Sequence, residues 1–248
     1  MIKLGQNFLI DKQLAEREVA YADLNKNDVV LEIGPGKGIL TKLLARKAKK
    51  VIAIEIDARL VEKLEDVLLG NAAIIHADAL KVDFATLPMF NKIVSNLPFQ
   101  ISSPITFKLL EYPFSKAVLM YQKDFADRMV AHPGTKDYSR LSVMIYYRTR
   151  CRVLETVSKK CFSPAPKVDS SIVEVIPRNN PPFTVLNETF FFDIIKRLFA
   201  HRRKKIKNTI KEVYDNLEDI PYLDERVEEL SPGQIGEISN LLFKKTSS

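Results

Sequence analysis

Cysteine and histidine are scarce in this sequence. Its 248 residues contain two cysteines, Cys151 and Cys161, and three scattered histidines. That set does not match the spaced Cys and His ligands of a metal site, so no metal is predicted. A low cysteine count suits a reducing cytosol, where both thiols are most simply small buried hydrophobic groups.

Long apolar runs are lacking as well. No run reaches the length needed to span a bilayer, and the first residues lack the apolar core of a secretory signal. We therefore expect a cytoplasmic protein. Hydrophobic residues make up 46% of the chain, enough to bury a full core in one large domain plus a small one.

Positive charge is unevenly distributed along the chain. The formal net charge is +7, and residues 196–211 contain eight Lys or Arg and no acid. Such a run is usually a solvated face, but on an α/β protein it also suits a polyanion such as RNA. Apolar residues punctuate the run, so its helices can pack on one side and point their charges outward. The predicted RNA-binding residues are Lys196, Arg197, Arg202, Arg203, Lys204, Lys205 and Lys207.

Three glycines mark the first strand–turn–helix pattern. Residues 29–33 are largely apolar, and a helical pattern begins directly after Gly34, Gly36 and Gly38. Glycines at the carboxyl end of a strand let the backbone take positive φ or approach a ligand closely, as in the first half of a βαβ unit. In the dinucleotide fingerprint the third glycine falls one place later, where this chain has Ile39, so a nicotinamide dehydrogenase is disfavoured.

The next three predicted strands end at or just before Glu55, Asp78 and Asn96. Because these strands alternate with helices, we expect a parallel sheet that brings Gly34 and the three polar residues to one rim. An acid about 20 residues after the first glycine can accept hydrogen bonds from ribose hydroxyls. Taken alone, Glu55 is equally well a surface acid, but four such strand ends in succession predict a site.

The second half of the chain predicts a different architecture. A helix capped by Ser103, a strand around residues 118–120 and an edge hairpin of residues 152–157 and 170–176 are expected first. A Pro- and Asn-rich linker follows at residues 177–182, and the remainder is helical. The predicted fold is α/β, with a mostly parallel sheet, an antiparallel edge hairpin and a small C-terminal α-helical domain. The predicted domains are residues 1–178 and 183–248.

Asn96, Leu97, Pro98 and Phe99 form the sharpest chemical feature. Proline stiffens a loop that leaves a strand, and the Asn96 amide oxygen and the Leu97 carbonyl can together accept both hydrogens of an exocyclic amine. Phe99 can stack on the ring that carries the amine. The alternative is an ordinary Asn-Pro turn with a core phenylalanine, which the position at a ligand-bearing rim disfavours.

Several ordered motifs together resemble those of the ribosomal-RNA adenine N6,N6-dimethyltransferases, over about residues 3 to 210. They are Gly5-Gln6-Asn7-Phe8-Leu9, Glu32-Ile33-Gly34-Pro35-Gly36-Lys37-Gly38, Glu55-Ile56-Asp57, Asp78-Ala79, Asn96-Leu97-Pro98-Phe99, Ile101-Ser102-Ser103-Pro104 and Ser163-Pro164-Ala165-Pro166-Lys167-Val168. The combination is far more specific than any one motif. Residues 121–123 and 139–143 resemble archaeal or eukaryotic members more than bacterial ones.

The resemblance implies a Rossmann-like class I methyltransferase sheet and S-adenosyl-L-methionine as cofactor. Asn7 and Leu9 would close over the cofactor, and Gly34 would pass beneath it. Glu55 would hold the ribose and Asp78 the adenine amine. The implied cofactor-binding residues are Asn7, Leu9, Gly34, Gly36, Glu55, Asp78 and Asn96. The implied catalytic residues are Asn96, Leu97, Pro98 and Phe99. The family more often has tyrosine in place of Phe99, so a polar role there is lost.

The resemblance also implies the substrate and partner. Two adjacent adenosines near the 3′ end of small-subunit ribosomal RNA would each be methylated twice, by a monomer acting on a pre-30S or pre-40S-type particle. Two alternatives stay open, a large-subunit rRNA adenine N6-methyltransferase and a non-catalytic ribosome-assembly factor. The C-terminal helical segment would distinguish a large-subunit enzyme from a small-subunit one. The intact set of Glu55, Asp78 and Asn96 weighs against a non-catalytic assembly factor.

Overall fold

The computed structural model describes residues 6–65, 70–214 and 216–246. Gly5, in the first motif quoted above, lies outside these residues. The strands are β1 (Phe8–Leu9), β2 (Val29–Ile33), β3 (Lys50–Glu55), β4 (Ala72–His76), β5 (Lys92–Asn96), β6 (Lys116–Gln122), β7 (Thr149–Val157), β8 (Phe162–Ser163) and β9 (Ser170–Pro177). The helices are α1 (Lys12–Tyr21), α2 (Ile39–Lys47), α3 (Ala58–Glu65), α4 (Ser102–Leu109), α5 (Lys123–Met129), α6 (Arg140–Arg148), α7 (Glu188–Ala200), α8 (Ile206–Ile210) and α9 (Pro232–Thr246). In this part of the chain, no helix is both long and apolar enough to cross a bilayer.

One large sheet carries the strand order β4-β3-β2-β5-β6-β9-β7. The strands from β4 to β6 in that order are parallel, as their alternation with helices predicts. Strand β9 runs antiparallel to β6 and lies beside the outermost strand, β7. The α/β fold with an antiparallel edge is therefore confirmed.

The strand order reverses between β2 and β5. The chain moves outward from β2 to β3 and β4, and then returns to place β5 on the other side of β2. Backbone pairing between β2 and β5 ends at Leu31 and Ile93. Beyond it the Ser95 hydroxyl donates to the Ile33 carbonyl at 2.6 Å and accepts from the Ile33 amide at 3.2 Å. The two strands thus stop pairing before their carboxyl ends, at the kind of topological switch point where open α/β sheets bind ligands.

The start of α4 differs from the prediction. Ser103 is not its cap, because a 3₁₀ turn over Phe99–Ile101 runs directly into the helix at Ser102. The Pro98 and Phe99 carbonyls accept the Ile101 and Ser102 amides, so the first turn is satisfied without a side-chain cap.

Two very short strands were not predicted. Strand β1 pairs antiparallel with β8, with Phe8 opposite Ser163 and Leu9 opposite Phe162. The two strands are far apart in sequence and each has only two residues, so no local sequence pattern predicts either of them. The pairing brings the N-terminal motif beside the loop that begins at Ser163.

By internal contacts the chain divides into two compact units. The first is drawn from residues 1–126 and 151–177, and the second from residues 127–150 and 178–248. In the second unit, Tyr138 and Val143 share a core with the buried residues of α7 and α9. The division differs from the predicted boundaries, residues 1–178 and 183–248, because residues 127–150 belong by contact with the C-terminal helices.

Candidate functional site

A cavity of about 290 Å³ lies in the first unit at the carboxyl ends of β2, β3 and β5. It is lined by nine of the residues predicted from the sequence, namely Asn7, Gly34, Gly36, Glu55, Asp78, Asn96, Leu97, Pro98 and Phe99. Leu9 differs, since its side chain is buried in the core and borders only a smaller cavity nearby. The structure therefore brings the four predicted strand ends together at one rim.

Gly34 lines the cavity and lies close to the Pro98 ring. Its φ is +71°, and a Cβ there would lie 3.0 Å from Pro98 Cγ and 3.2 Å from Pro98 Cδ. Its amide donates to the Ile54 carbonyl at 2.8 Å. The positive φ favours glycine, and the space favours it too, because a Cβ would press tightly on the rigid proline ring.

Glu55 ties the glycine loop to the end of β3. Its carboxylate accepts the Ile56 and Asp57 amides on Oε1, at 2.9 and 3.0 Å, and the Gly36 amide on Oε2, at 3.2 Å. A carboxylate offers about four lone-pair sites. Oε2 therefore keeps one acceptor site for a ligand in the cavity.

Asp78 and Asn7 occupy other parts of the rim. Asp78 Oδ1 accepts the Leu80 amide at 3.0 Å, and Oδ2 lies 4.0 Å from the Lys81 ammonium. Asn7 donates its Nδ2 to the Pro164 carbonyl at 2.8 Å. The Asp78 carboxylate therefore keeps acceptor capacity at the rim. The Asn7 hydrogen bond fixes the N-terminal segment against the loop after β8.

Asn96, at the end of β5, borders both cavities. Its side-chain amide is assigned from its partners, with the nitrogen donating to the two Glu18 carboxylate oxygens at 2.9 and 3.0 Å. With Glu18 ionised, the reverse orientation would place three oxygens together with no hydrogen between them. Because the nitrogen faces the interior, the Asn96 oxygen is the amide atom left for the cavity.

Leu97 and Phe99 follow directly. The backbone pairing of β5 with β6 ends at Asn96, opposite Met120, so the Leu97 carbonyl lies beyond the ladder. The half-buried Phe99 ring makes none of the aromatic contacts found among residues 6–65, 70–214 and 216–246. Two further rings line the cavity, Phe8 on β1 and Phe162 on β8. Phe162 was not predicted, although it directly precedes the Ser-Pro motif.

Two buried acids behind the cavity were also missed. Glu18 on α1 is 0% exposed and Glu32 on β2 is 2% exposed. Burial raises the pKa of Glu32 to about 8, with the Glu55 charge adding to the shift. Burial likewise raises the pKa of Glu18 well above its ordinary range, with Glu32 adding to it. Glu32 borders the smaller cavity, and its Oε2 has no hydrogen-bond partner among the described residues.

A family model described as "Ribosomal RNA adenine dimethylase" matches residues 1–244. The chain belongs to this family. A "Probable ribosomal RNA small subunit methyltransferase A" of Methanosarcina acetivorans is 47% identical to it over 252 residues, covering 96% of this chain and 92% of the relative. A protein of the same description from Methanococcus aeolicus is 49% identical over 246 residues, covering 98% and 89%.

Solved structures of rRNA methyltransferases share the fold of this adenine dimethylase. A dimethyladenosine transferase from Plasmodium falciparum has a TM-score of 0.83 and 28% identity, covering 97% of this chain and 98% of that one. The 23S rRNA methyltransferase ErmE has a TM-score of 0.71 and 29% identity, covering 94% and 98%. The predicted class I methyltransferase fold and rRNA adenine dimethyltransferase activity are confirmed at the level of the family.

The basic block, residues 196–211, runs from the end of α7 through the following turn and α8, within the second unit. Its apolar residues Leu198, Ile206 and Ile210 are buried, so the charges lie on the outer side, as the sequence predicts. Five of its cations are exposed and form no ion pair with a residue that the structure describes. They are Lys196, Arg197, Arg203, Lys204 and Lys211, of which the first four were predicted to bind RNA.

The other predicted cations are engaged within the unit. Arg202 Nε lies 3.3 Å from Glu228 Oε2, and Arg202 Nη1 donates to the Lys136 carbonyl at 2.8 Å. Both Lys205 and Lys207 contact Asp224 Oδ1, at 3.0 and 2.6 Å. The sequence predicts the block as one uniform basic surface. In the structure, Glu228 and Asp224 pair with some of its cations and leave the others unpaired.

Proposed function

We propose that this chain uses S-adenosyl-L-methionine to dimethylate N6 of two adjacent adenosines near the 3′ end of small-subunit ribosomal RNA. The observation that carries the proposal is the meeting of Gly34, Glu55, Asp78 and Asn96 at one cavity in a member of the adenine dimethylase family. The small-subunit relatives are more similar to this chain than the large-subunit enzyme is. The protein acts as a monomer in the cytoplasm on a pre-30S or pre-40S-type particle, as a step of ribosome biogenesis.

The cavity residues fit a cationic adenosine cofactor. S-adenosyl-L-methionine carries a sulfonium and an ammonium, and Glu55 and Asp78 line the cavity while Glu32 borders the smaller one. The unpartnered Glu32 Oε2 is a buried acceptor that an ammonium would satisfy. Glu55 offers an acceptor to the ribose hydroxyls and Asp78 one to the adenine amine. The volume of about 290 Å³ is near the lower end of the range for small-molecule sites, roughly 300–1,000 Å³.

The chemistry follows from the residues beside the target base. Bound S-adenosyl-L-methionine supplies an electrophilic methyl group. An adenine amine is a weak nucleophile because its lone pair is delocalised into the ring. The Asn96 oxygen and the Leu97 carbonyl accept the two amine hydrogens, which favours a pyramidal nitrogen with its lone pair aimed at the methyl carbon. Phe99 stacks on the base and fixes its plane. Positioning and preorganised dipoles supply the rate, and no strong base is needed because the proton can leave afterwards.

Labelled methyl transfer tests this proposal. The protein and labelled cofactor are incubated separately with unmethylated small subunits, large subunits and free RNA, and the label is mapped by nuclease digestion. We expect dimethyladenosine at two adjacent positions in the small-subunit arm. Label in the large-subunit arm contradicts the substrate. Binding of the cofactor without label in any arm contradicts the activity and favours an assembly role.

Removing the Phe99 ring separates stacking from packing. Because the ring is half-buried and has no aromatic partner in the described structure, we expect Phe99→Ala to lose roughly 1–3 kcal/mol of transition-state binding with little change in Tm. Phe99→Tyr keeps the stacking face and should stay near wild type. Single-turnover transfer and calorimetric melting measure the two effects.

Phe84 provides the matched control for that measurement. It is 2% exposed and contacts the rings of Phe90 and Tyr112. Phe84→Ala should therefore lose about 3–5 kcal/mol of stability, the usual cost of a core aromatic. If Phe99→Ala melts as low as Phe84→Ala, Phe99 is a core residue and the stacking role is wrong.

The free cations of the basic block should contribute most to RNA binding. If Arg203 and Lys204 each contact a phosphate, replacing both by Gln should flatten the log–log dependence of RNA affinity on salt by about 0.7–0.9 per contact. Phosphate contacts position RNA without reading its sequence. Because neither Arg203 nor Lys204 lines the cavity, cofactor affinity should stay unchanged. Filter binding across a salt series and calorimetry measure the two quantities.

The paired cations supply the control. Lys205→Gln with Lys207→Gln removes the same formal charge, but both ammoniums already contact Asp224. We expect a smaller change of slope for this pair. A wild-type slope in the Arg203 and Lys204 variant would show that the block is only a solvated face and that RNA docks elsewhere.

A further inference from the structure

Glu18 contacts the proposed catalytic amide from inside the protein. It lies on the face of α1 that also buries Leu14, Ala15 and Val19, and it is wholly shielded from solvent. With the Asn96 amide assigned as above, its nitrogen lies within 3.0 Å of both Glu18 carboxylate oxygens. Glu18 does not line the cavity that would hold the cofactor.

An acid at this position is costly to keep. Burying a carboxylate without a cationic partner is strongly unfavourable, and Glu18 forms no ion pair with any residue that the structure describes. An apolar residue would pack there as its helix neighbours do. Its hydrogen bonds to Asn96 are the contacts that set Glu18 apart from those neighbours.

The orientation of the Asn96 amide decides what the cavity presents. A side-chain amide can turn by 180° and exchange its acceptor oxygen for its donor nitrogen. The adenine amine offers hydrogens, so only the oxygen is useful to it. An ionised carboxylate has acceptors alone, and it therefore selects the orientation with the nitrogen inward.

We propose that Glu18 is a positioning residue, which holds the Asn96 side chain with its amide oxygen toward the cavity, ready for the adenine amine. This inference rests on the role of Asn96 in the proposed function. It adds an interior residue that contacts neither the cofactor nor RNA and acts through Asn96.

The ionised form of Glu18 makes the orientation dependent on pH. Two acids, Glu32 on β2 and Glu155 on β7, face Glu18 and disfavour its charge, whereas the Asn96 hydrogen bond favours it; Glu155 is itself paired with Arg17 at 2.8 Å. As pH falls through the raised pKa of Glu18, the carboxyl gains a proton and no longer excludes the reversed amide. Methyl transfer should therefore fall on the acid side. Glu32 and Glu18 titrate as a coupled pair, so the change in the pH profile of Glu18→Gln reports on the pair.

Glu18→Gln is the central variant. Glutamine has the same shape but carries both a donor and an acceptor, so it permits either orientation of Asn96. We expect single-turnover transfer to fall about 10- to 100-fold, the scale of one lost hydrogen bond to a charged group. Cofactor affinity and RNA affinity should stay at wild-type values, and the Glu18-dependent part of the pH profile should disappear.

A double-mutant cycle separates positioning from general packing. In an Asn96→Ala background, Glu18→Gln should cause no further loss, because the residue through which it acts is gone. Val19→Ala is the matched control, since Val19 is buried on the same helix. That variant should melt lower in both backgrounds, while its transfer rate well below Tm stays that of the parent.

Two results would overturn the proposal: wild-type transfer by Glu18→Gln, or an equal loss in both backgrounds. Failure of the proposed function looks different, since wild type itself would then methylate no RNA. In that case the side-chain amide resonances of Asn96, identified by their loss in Asn96→Ala, still decide the question. Their shift with pH should be larger in wild type than in Glu18→Gln, where Glu32 still titrates nearby, and equal shifts in the two proteins contradict the contact.

Discussion

Asn96→Ala should lower methyl transfer by about 10²–10³, the usual effect of removing one preorganised polar group from a transition state. The Asn96 oxygen is the cavity-facing acceptor at the end of β5, and alanine leaves one amine hydrogen without a partner. Cofactor binding should persist, because Glu55 and Asp78 keep their acceptors. Calorimetry with S-adenosyl-L-methionine and a single-turnover assay measure the two quantities separately.

Asn96→Gln is the control for this loss. It keeps the amide but moves it by one methylene, and catalytic groups need placement within about 0.5 Å. We expect it to bind cofactor and to transfer poorly as well. Alanine also leaves the Glu18 carboxyl without its donor, so both variants are assayed well below their measured Tm. A fully active Asn96→Ala protein would remove Asn96 from the mechanism.

The rim of the site was predictable because each of its residues lies at or just after the end of a strand. Parallel strands with right-handed crossovers end at the same edge of a sheet, so the sequence alone predicts that Gly34, Glu55, Asp78 and Asn96 lie together. Predicting that they meet at one cavity required only correct strand boundaries. Local pattern carries that much information because the strands are short, apolar and separated by helices.

What lies behind the rim was harder to predict. Glu18 sits among apolar positions of α1, and Glu32 sits inside an apolar strand. A charged residue within a buried pattern is a usable signal, but it does not name the partner. The contact between Glu18 and Asn96 joins a helix to a strand end far along the chain, and such pairings depend on packing rather than on local sequence.

The second unit shows the same limit. Buried apolar residues among the cations were expected, and Leu198 and Ile206 are buried. The pairing of Lys205 and Lys207 with Asp224 was not expected, because it depends on how the chain returns after α8. The grouping of residues 127–150 with the C-terminal helices is likewise a tertiary fact.

Gly34→Ala is expected to abolish most cofactor binding and transfer. Its φ of +71° disfavours any side chain, and the new Cβ would lie 3.0 Å from Pro98 Cγ. The proline ring cannot rotate away, so the segment that carries Leu97 and Phe99 must give by a few tenths of an ångström. Catalytic groups need placement within about 0.5 Å, so a shift of this size lowers the rate. Calorimetry with S-adenosyl-L-methionine, single-turnover transfer and thermal melting together measure the outcome.

Gly134→Ala separates backbone strain from the collision with Pro98. Gly134 has a φ of +79°, and a Cβ there would meet nothing within 4 Å. Both variants should lose about 1–2 kcal/mol of stability, the cost of a side chain in the left-handed region. Only Gly34→Ala should lose cofactor affinity and transfer, because only its Cβ meets the segment that carries the proposed catalytic residues. Equal activity in the two variants would mean that this segment tolerates the shift and that its placement does not limit the reaction.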